Sequence, residues 1–152
     1  MLNRINIMQR ILLVIAFSAS MFYIGSSQAQ EITVYKSPTC GCCKKWITHL
    51  ENNGFKVKAQ DMQNVTPKKI EFGITPQTAS CHTAVVDGYV IEGHVPAEDI
   101  KRLLKDKPKD VTGLTVPGMP VGSPGMEMGD RKDPYNVLAI GKDGRTSVYA
   151  NH

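Results

Sequence analysis

The sequence offers little for two common functions, binding of nucleic acid and permanent residence in a membrane. Aromatic residues make up only 7% of the chain, and the lysines and arginines form no clustered face with aromatic residues between them. There is therefore no reason to expect a nucleic-acid partner. The long apolar run at residues 11–25 is shorter than the roughly 20 residues that a spanning helix needs. No cysteine follows this run closely, which argues against a lipid-anchored protein.

The first 29 residues have the pattern of a cleavable export signal. Arg4 and Arg10 precede the apolar run, and Ser27-Gln28-Ala29 supplies the small residues of a cleavage site. We therefore expect a signal peptide over residues 1–29 and a periplasmic protein with no stable membrane anchor. Of the 18 basic residues in the chain, two belong to this segment, so residues 30–152 carry 16 basic and 14 acidic side chains. Their length suits a single domain.

The cysteines are unusually distributed. The chain has 4 of them, and Cys40, Cys42 and Cys43 lie together in the stretch TCGCCKKW at residues 39–46, directly before an amphipathic segment. Cys81 is far along the chain. Ordinary cores do not crowd thiols in this way, and a framework of structural disulfides spreads its cysteines out. The stretch therefore indicates a chemical site.

The remaining pattern predicts alternating strands and helices. Apolar periodicity and turn residues indicate strands at 32–35 and 55–61, helices from Cys43 and over 67–72 and 96–104, and a β-hairpin over 84–91. This order is the thioredoxin-like arrangement, so we predict a single α/β domain with a central mixed sheet flanked by helices. A loop rich in methionine, glycine and proline over 113–129 and a C-terminal β-hairpin over 135–150 extend the domain.

The thioredoxin-like arrangement also predicts the location of Cys81. In thioredoxin relatives, a cis-proline before the hairpin faces the C-x-x-C motif, whose spacing Cys40 and Cys43 share. Placing residues 84–88 on that hairpin puts His82 at the position of the proline and Cys81 directly before it. We therefore expect Cys81 to lie opposite the other three cysteines.

Four converging thiols outside the cytosol have three interpretations. Two structural disulfides suit an exported chain, but the neighbouring Cys42 and Cys43 cannot readily bridge each other. A thiol–disulfide oxidoreductase could use Cys40 and Cys43, because a helix N-terminus favours the thiolate, although a third cysteine would complicate a two-sulfur couple. Metal binding is the preferred interpretation, since metals bind the deprotonated sulfur.

Copper is the metal that these ligands favour. The cysteines are spaced more tightly than one tetrahedral zinc ion requires, and thiolates shared between several soft ions fit better. The loop over 113–129 adds Met119, Met126 and Met128, and its prolines and glycines prevent it from being a helix. Thiolate with thioether selects Cu(I), and an imidazole from His82 or His94 would also accommodate Cu(II).

Four segments together resemble a known bacterial family. They are TCGCCKKW at 39–46, SCHT at 80–83, EGHVPAEDI at 92–100 and GLTVPGMPVGSPGMEMG at 113–129. They are similar to the domain-of-unknown-function metal-binding family that includes the copper-resistance protein CopG, and the resemblance spans nearly all of residues 30–152. It implies a thioredoxin-like fold, export, copper handling and a set of metal ligands: Cys40, Cys42, Cys43, Cys81, His94, Met119, Met126 and Met128.

The sequence therefore predicts a periplasmic copper-binding protein that contributes to copper resistance or homeostasis. Its role would be sequestration, with a Cu(I)/Cu(II) redox change as a further option, and no catalytic residue is assigned. Its expected partners are copper ions and other periplasmic copper-handling proteins. The alternative is a periplasmic thiol–disulfide oxidoreductase that uses Cys40 and Cys43.

The other histidines have separate expectations. His49 is expected to be a solvated residue on a helix surface, and His152 to be disordered at the end of the chain. His82 is either a ligand or a polar residue that fills the position of the proline.

Overall fold

The computed structural model describes residues 29–152, so the predicted signal peptide, apart from its last residue, lies outside the described residues. Strands and helices alternate along this part of the chain. In chain order they are β1 (Glu31–Lys36), α1 (Gly41–Asn52), β2 (Lys56–Asp61), α2 (Thr66–Glu71), β3 (Thr83–Val86), β4 (Tyr89–Glu92), α3 (Ala97–Asp106), β5 (Val111–Thr115), β6 (Asn136–Gly141) and β7 (Thr146–Asn151). None of these described helices has the length and apolar character needed to cross a bilayer.

The seven strands form one mixed sheet in the order β2-β1-β3-β4-β5-β6-β7. Strand β1 runs parallel to β2 and antiparallel to β3, and β4 runs parallel to β5. The β3–β4 and β6–β7 pairs are antiparallel hairpins. The predicted C-terminal hairpin is therefore present, and it continues the main sheet through β5. The architecture is the mixed α/β type that the order of predicted elements indicated.

The main core lies on the face of the sheet that α1 and α3 cover. Along β1, Ile32 and Val34 alternate with less buried residues and are fully buried, as a strand with one face on a core requires. Trp46 of α1 and Ile100 of α3 are buried in the same cluster. The Trp46 indole N–H also donates to the Val95 carbonyl over 2.9 Å. Helix α1, whose first turn carries three cysteines, is therefore fixed on the sheet.

The short helix α2 lies against the opposite face. Tyr35 of β1 contacts Phe72, which follows α2, with 5.8 Å between ring centroids. Lys69 of α2 donates to the Thr83 hydroxyl of β3 over 3.1 Å. Tyr35 and Thr83 are paired in the β1–β3 ladder, so both side chains point away from the main core. This face therefore carries polar contacts between α2 and β3.

The first hairpin has the turn that its sequence predicts. Asp87 and Gly88 connect β3 and β4, with φ angles of 47° and 81°. A two-residue turn with both central residues at positive φ matches the twist of paired strands, and a D-G pair favours it. The turn fixes the register of the hairpin, and thereby the positions of the residues before β3 and after β4.

Strand β5 is an element that the sequence did not predict. Residues 113–115 belong to it, although they fall in the segment expected to be a loop. Pairing with β4 and β6 on its two sides makes the segment a strand, because neighbouring strands can override a weak local propensity. A Cβ atom at Gly113 would lie 2.0 Å from the Val90 carbonyl oxygen, so the close approach requires glycine. The irregular loop begins only after Thr115.

Candidate metal centre

The first turn of α1 carries three of the four cysteines. Cys40 is the N-cap residue, and its sulfur accepts a hydrogen bond from the Cys43 backbone N–H over 3.3 Å. Cys40 and Cys43 form a disulfide. In the described part of the chain, Cys42 and Cys81 are the free thiols.

Cys81 completes this group, as the position of the hairpin predicted. Its Sγ lies 3.7 Å from the Cys43 Sγ, and the Cys42 Sγ lies 3.5 Å from the Cys40 Sγ. All four sulfur atoms lie within 4.8 Å of one another. A reduced cluster of this size would present four sulfur ligands to one small volume.

Two imidazoles flank Cys81. Its Sγ lies 3.2 Å from His82 Nδ1 and 3.0 Å from His94 Nε2. His94 Nδ1 lies 2.8 Å from the Pro124 carbonyl oxygen. Since a carbonyl oxygen only accepts, Nδ1 carries the hydrogen and donates it, which leaves the Nε2 lone pair directed at Cys81. A loop carbonyl therefore sets the tautomer of His94 in which Nε2 can bind a metal.

His82 is fully buried and only partly satisfied. Its ring packs 4.3 Å from the Trp46 ring and 5.0 Å from the His94 ring, measured between centroids. Its Nε2 has no hydrogen-bond partner among the described residues, and a buried polar atom without a partner costs about 1–3 kcal/mol. Both interpretations of His82 thus have support, since the ring fills a core position and still offers a free nitrogen.

The pKa values of the side chains at the centre follow from their burial. Burial raises the pKa of the Cys81 thiol to about 12, and the neighbouring Cys42 adds to this increase. Burial lowers the pKa of His94 and lowers that of His82 well below its ordinary value. Without a metal, Cys81 is therefore a neutral thiol between two neutral imidazoles at pH near 7. The imidazoles are ready to bind a cation, whereas Cys81 must first lose its proton.

The loop that follows β5 packs directly on residues 40–43 at the start of α1, which we call the CxCC turn. Gly125 has a φ of +86°, and a Cβ there would lie 2.8 Å from both the Cys42 carbonyl oxygen and the Trp46 backbone nitrogen. Only glycine permits both this conformation and this approach. Together with the bond from His94 to Pro124, this contact holds the middle of the loop over the first turn of α1.

The three predicted methionine ligands lie at different depths. Met119 and Met128 are exposed, with 53% and 63% of their surfaces accessible, and Met126 is half-buried. Met119 follows Gly118, whose N–H donates to the Ala79 carbonyl two residues before Cys81. The backbone therefore brings Met119 near the cysteine cluster, while Met128 lies in a separate turn that pairs with Arg131.

Two predictions about histidines are wrong. His49 is half-buried, and its Nε2 accepts a hydrogen bond from the Ala97 backbone N–H at the start of α3 over 3.1 Å. His152 is ordered, because its Nε2 lies 2.8 Å from Asp99 Oδ2 and its ring stacks on Tyr135 at 5.1 Å. Both contacts are made by residues distant in sequence, so neither helix periodicity nor position near the chain end could indicate them.

The sequence reasoning also missed an ion pair beside the centre. Glu92 at the end of β4 is fully buried, and its carboxylate lies 2.5 Å from Lys69 Nζ. The motif EGHVPAEDI contained Glu92, but a single acid on a strand has no sequence signal that separates a buried partner from a solvated one.

Residues 78–126 match a family described as "Protein of unknown function, DUF411". Two solved structures, "Copper resistance protein copG- Form 2" and "Form 1", are 48% identical in sequence and match with TM-scores of 0.78 and 0.77. Each match covers 82% of this chain and 98% of the copG chain. A search of curated proteins gave no match.

The fold and the site define a mixed α/β protein in which clustered cysteine and histidine side chains could hold a soft metal ion. The chain belongs to the DUF411 family and is similar over most of its length to copper resistance protein copG. The 48% sequence identity confirms the family that the four sequence segments indicated.

Proposed function

We propose that this protein binds copper at the cysteine cluster and contributes to copper resistance or homeostasis. The observation that carries the proposal is the convergence of four sulfur atoms within 4.8 Å, in a chain 48% identical to proteins titled as copper resistance proteins. Convergence alone would suit several soft metals, and the family likeness favours copper among them.

The number of donor atoms favours several copper ions over one zinc ion. Thiolates and imidazoles are the ligands that copper ions take in proteins. Four sulfurs with two further nitrogens, from His82 and His94, exceed what one tetrahedral zinc ion uses. We therefore favour a site in which thiolates bridge more than one copper ion. His82 Nδ1, which lies 3.2 Å from the Cys81 sulfur, adds a buried nitrogen beside the cluster.

The binding state in this proposal is the reduced one. The Cys40–Cys43 disulfide occupies two of the four sulfurs, and a disulfide sulfur is a poor ligand in comparison with a thiolate. Reduction by two electrons and two protons converts the bond to two thiols, and binding of copper releases the thiol protons. Copper affinity should therefore depend on the redox state of Cys40 and Cys43.

The finer features of the proposal come from the sequence. We propose that the chain is exported to the periplasm, that the fold is thioredoxin-like, and that Met119, Met126 and Met128 supply further Cu(I) ligands from the loop. A Cu(I)/Cu(II) redox change at the centre, and transfer of copper to other periplasmic proteins, belong to the same proposal. The contact of Gly125 with the CxCC turn supports a role for the loop at the centre.

Metal analysis of the protein in two redox states tests the function. Protein isolated from copper-supplemented cells is divided into a reduced, anaerobic sample and an oxidised sample that retains the Cys40–Cys43 bond. We expect the reduced sample to hold copper through gel filtration and the oxidised sample to hold much less. Absence of copper from the reduced sample would refute the proposal.

One observation favours a second function. The disulfide between Cys40 and Cys43 caps the N-terminus of α1, where a thiolate released on reduction would be stabilised. This arrangement suits a thiol–disulfide oxidoreductase. Reduction of insulin or of a model disulfide, measured with the same protein without copper, separates the two functions. An oxidoreductase would turn over substrate and keep this activity when Cys42 is replaced.

A further inference from the structure

A buried carboxylate lies beside the metal centre without belonging to its ligands. Glu92 ends β4, and its side chain is 0% exposed. Burial raises the pKa of its carboxyl group, while the neighbouring Lys69 opposes that change. An ionised carboxylate in the interior is costly unless it is paired and hydrogen-bonded. Its presence two residues before His94 therefore calls for a role.

The Glu92 carboxylate has three donors from three different segments. Oε1 accepts from Lys69 Nζ of α2 over 2.5 Å and from the Ser80 backbone N–H over 2.6 Å. Oε2 accepts from the Thr83 hydroxyl over 2.7 Å. Lys69 also donates to Thr83 over 3.1 Å, and its side chain is only 15% exposed. The four groups form one closed network beneath the loop that precedes β3.

Ser80 connects this network to the cysteine cluster. Its N–H belongs to the residue directly before Cys81, in a segment outside the main strands. The same segment bridges to the loop after β5, because Gly118 N–H donates to the Ala79 carbonyl over 3.1 Å and the Ser80 hydroxyl donates to the Gly118 carbonyl. A change in the position of Ser80 would therefore move Cys81, and it would also move Met119, which follows Gly118.

Glu92 also contacts the loop after β5 through its backbone. Its carbonyl oxygen accepts from the Val116 N–H over 3.0 Å. The next residue, Gly93, allows a close approach, since a Cβ there would lie 2.4 Å from the Ser80 hydroxyl oxygen. Residues 92 and 93, at the end of β4, thus hold both the loop before β3 and the loop after β5, which carry candidate ligands.

We propose that Glu92, held in place by Lys69, is a positioning residue that fixes Cys81 within reach of the CxCC turn. This inference rests on the proposed copper function, and it assigns to Glu92 no contact with the metal. A buried ion pair adds little net stability compared with apolar residues of the same shape. The network therefore acts mainly on geometry, since the carboxylate is the acceptor that the Ser80 N–H uses.

The test compares Glu92→Gln with a matched control, Asp99→Asn. Asp99 is also a buried carboxylate in an ion pair, 2.9 Å from Arg102 Nη2, but it contacts neither Ser80 nor Cys81. Each variant keeps the shape of its side chain, loses the charge and exchanges one of two acceptor oxygens for an NH2 donor. The amide at position 92 therefore cannot accept from Ser80, Lys69 and Thr83 together, as the carboxylate does. Denaturant unfolding of the metal-free proteins measures how far each substitution lowers the free energy of unfolding. The effects on Cys81 are compared after allowing for this general loss of stability.

Two readouts follow the position of Cys81. The first is the rate at which iodoacetamide alkylates each free thiol of the metal-free, disulfide-containing protein, read by peptide mass spectrometry. We expect Glu92→Gln to raise the rate at Cys81 severalfold and to leave the rate at Cys42 unchanged. The second is competition with a Cu(I) chelator, in which Glu92→Gln should weaken copper binding about tenfold or more, while Asp99→Asn should not.

The outcomes are distinct. Equal effects of the two variants on Cys81 alkylation would overturn the inference, as would an unchanged rate in Glu92→Gln. A wild-type protein that binds no copper, together with faster Cys81 alkylation in Glu92→Gln, would refute the copper function and leave the positioning role intact. If Glu92→Gln does not fold, Lys69→Met replaces it, and the same increase at Cys81 is expected in smaller measure.

Discussion

Replacing Cys42 by serine separates the two functions that the CxCC turn allows. The change keeps the size of the side chain and removes one sulfur. Cys42 is outside the Cys40–Cys43 disulfide, and its Sγ lies 3.5 Å from the Cys40 Sγ. A two-sulfur redox couple does not need it, whereas a cluster of bridging thiolates does.

The magnitude follows from the position of Cys42. It is half-exposed, and surface substitutions of this kind usually change the free energy of unfolding by less than about 0.5 kcal/mol. Copper binding should change much more. Loss of an outer partner of a metal ligand already costs about 10–100-fold in affinity, so loss of a direct ligand should weaken retention of copper by at least about 100-fold. The fold should survive a change that the metal centre does not.

The assay is competition of reduced wild-type, Cys42→Ser and Lys44→Gln proteins with a Cu(I) chelator, next to reduction of a model disulfide. Lys44 is an exposed neighbour in the same helical turn, and its variant controls for nonspecific effects. Cys42→Ser that binds copper as the wild type does, while Cys40→Ser alone abolishes disulfide reduction, would refute the cluster and favour the oxidoreductase.

Three further predictions concern other parts of the centre and its scaffold. Met119→Ala should weaken retention of Cu(I) more than that of Cu(II), because a thioether is the softer ligand, and His94→Ala should show a smaller Cu(I) bias; equal losses in paired chelator titrations would assign Met119 to loop packing. Burial holds the pKa of His49, and that of His82, below the ordinary 6.5. The unfolded chain therefore binds protons first, and the metal-free protein should lose stability as pH falls below 6.5. Denaturant midpoints measured across this pH should decline less in His49→Gln, and a flat wild-type profile would contradict the assignment. His152→Ala should lower the free energy of unfolding by about 1–2 kcal/mol, since it removes a hydrogen bond to the buried Asp99; an unchanged midpoint would show that the contact contributes nothing.

The arrangement of the cysteines was predictable from the sequence because two local patterns determine it. The CxCC turn begins a helix with an apolar face, and the D-G turn fixes the hairpin that follows Cys81. Once the helix and the hairpin belong to one sheet-based domain, the position of Cys81 is nearly fixed. The positions of the strands that carry these turns depend on short-range signals, which periodicity and turn residues report well.

The features that sequence reasoning missed depend on contacts between distant segments. His49 lies on the helix face that periodicity assigns to solvent, but the N-terminus of α3 packs there and donates to it. Strand β5 forms because β4 and β6 pair with it. Glu92 is an ordinary acid in the sequence, and only the positions of Lys69 and Ser80 make it a buried acceptor. None of these contacts has a signature within a short window of residues.

The disulfide at the start of α1 gives the protein an electrochemical property. The centre has two free thiols when Cys40 and Cys43 are joined, and a two-electron reduction would provide all four. For such a couple, a change of about 30 mV in the surrounding potential alters the ratio of reduced to oxidised protein tenfold. Under the proposed function, the amount of copper that a sample holds is thus a readout of its thiol buffer. Two preparations of the same chain at equal copper concentration, but at different glutathione ratios, would bind different amounts of the metal.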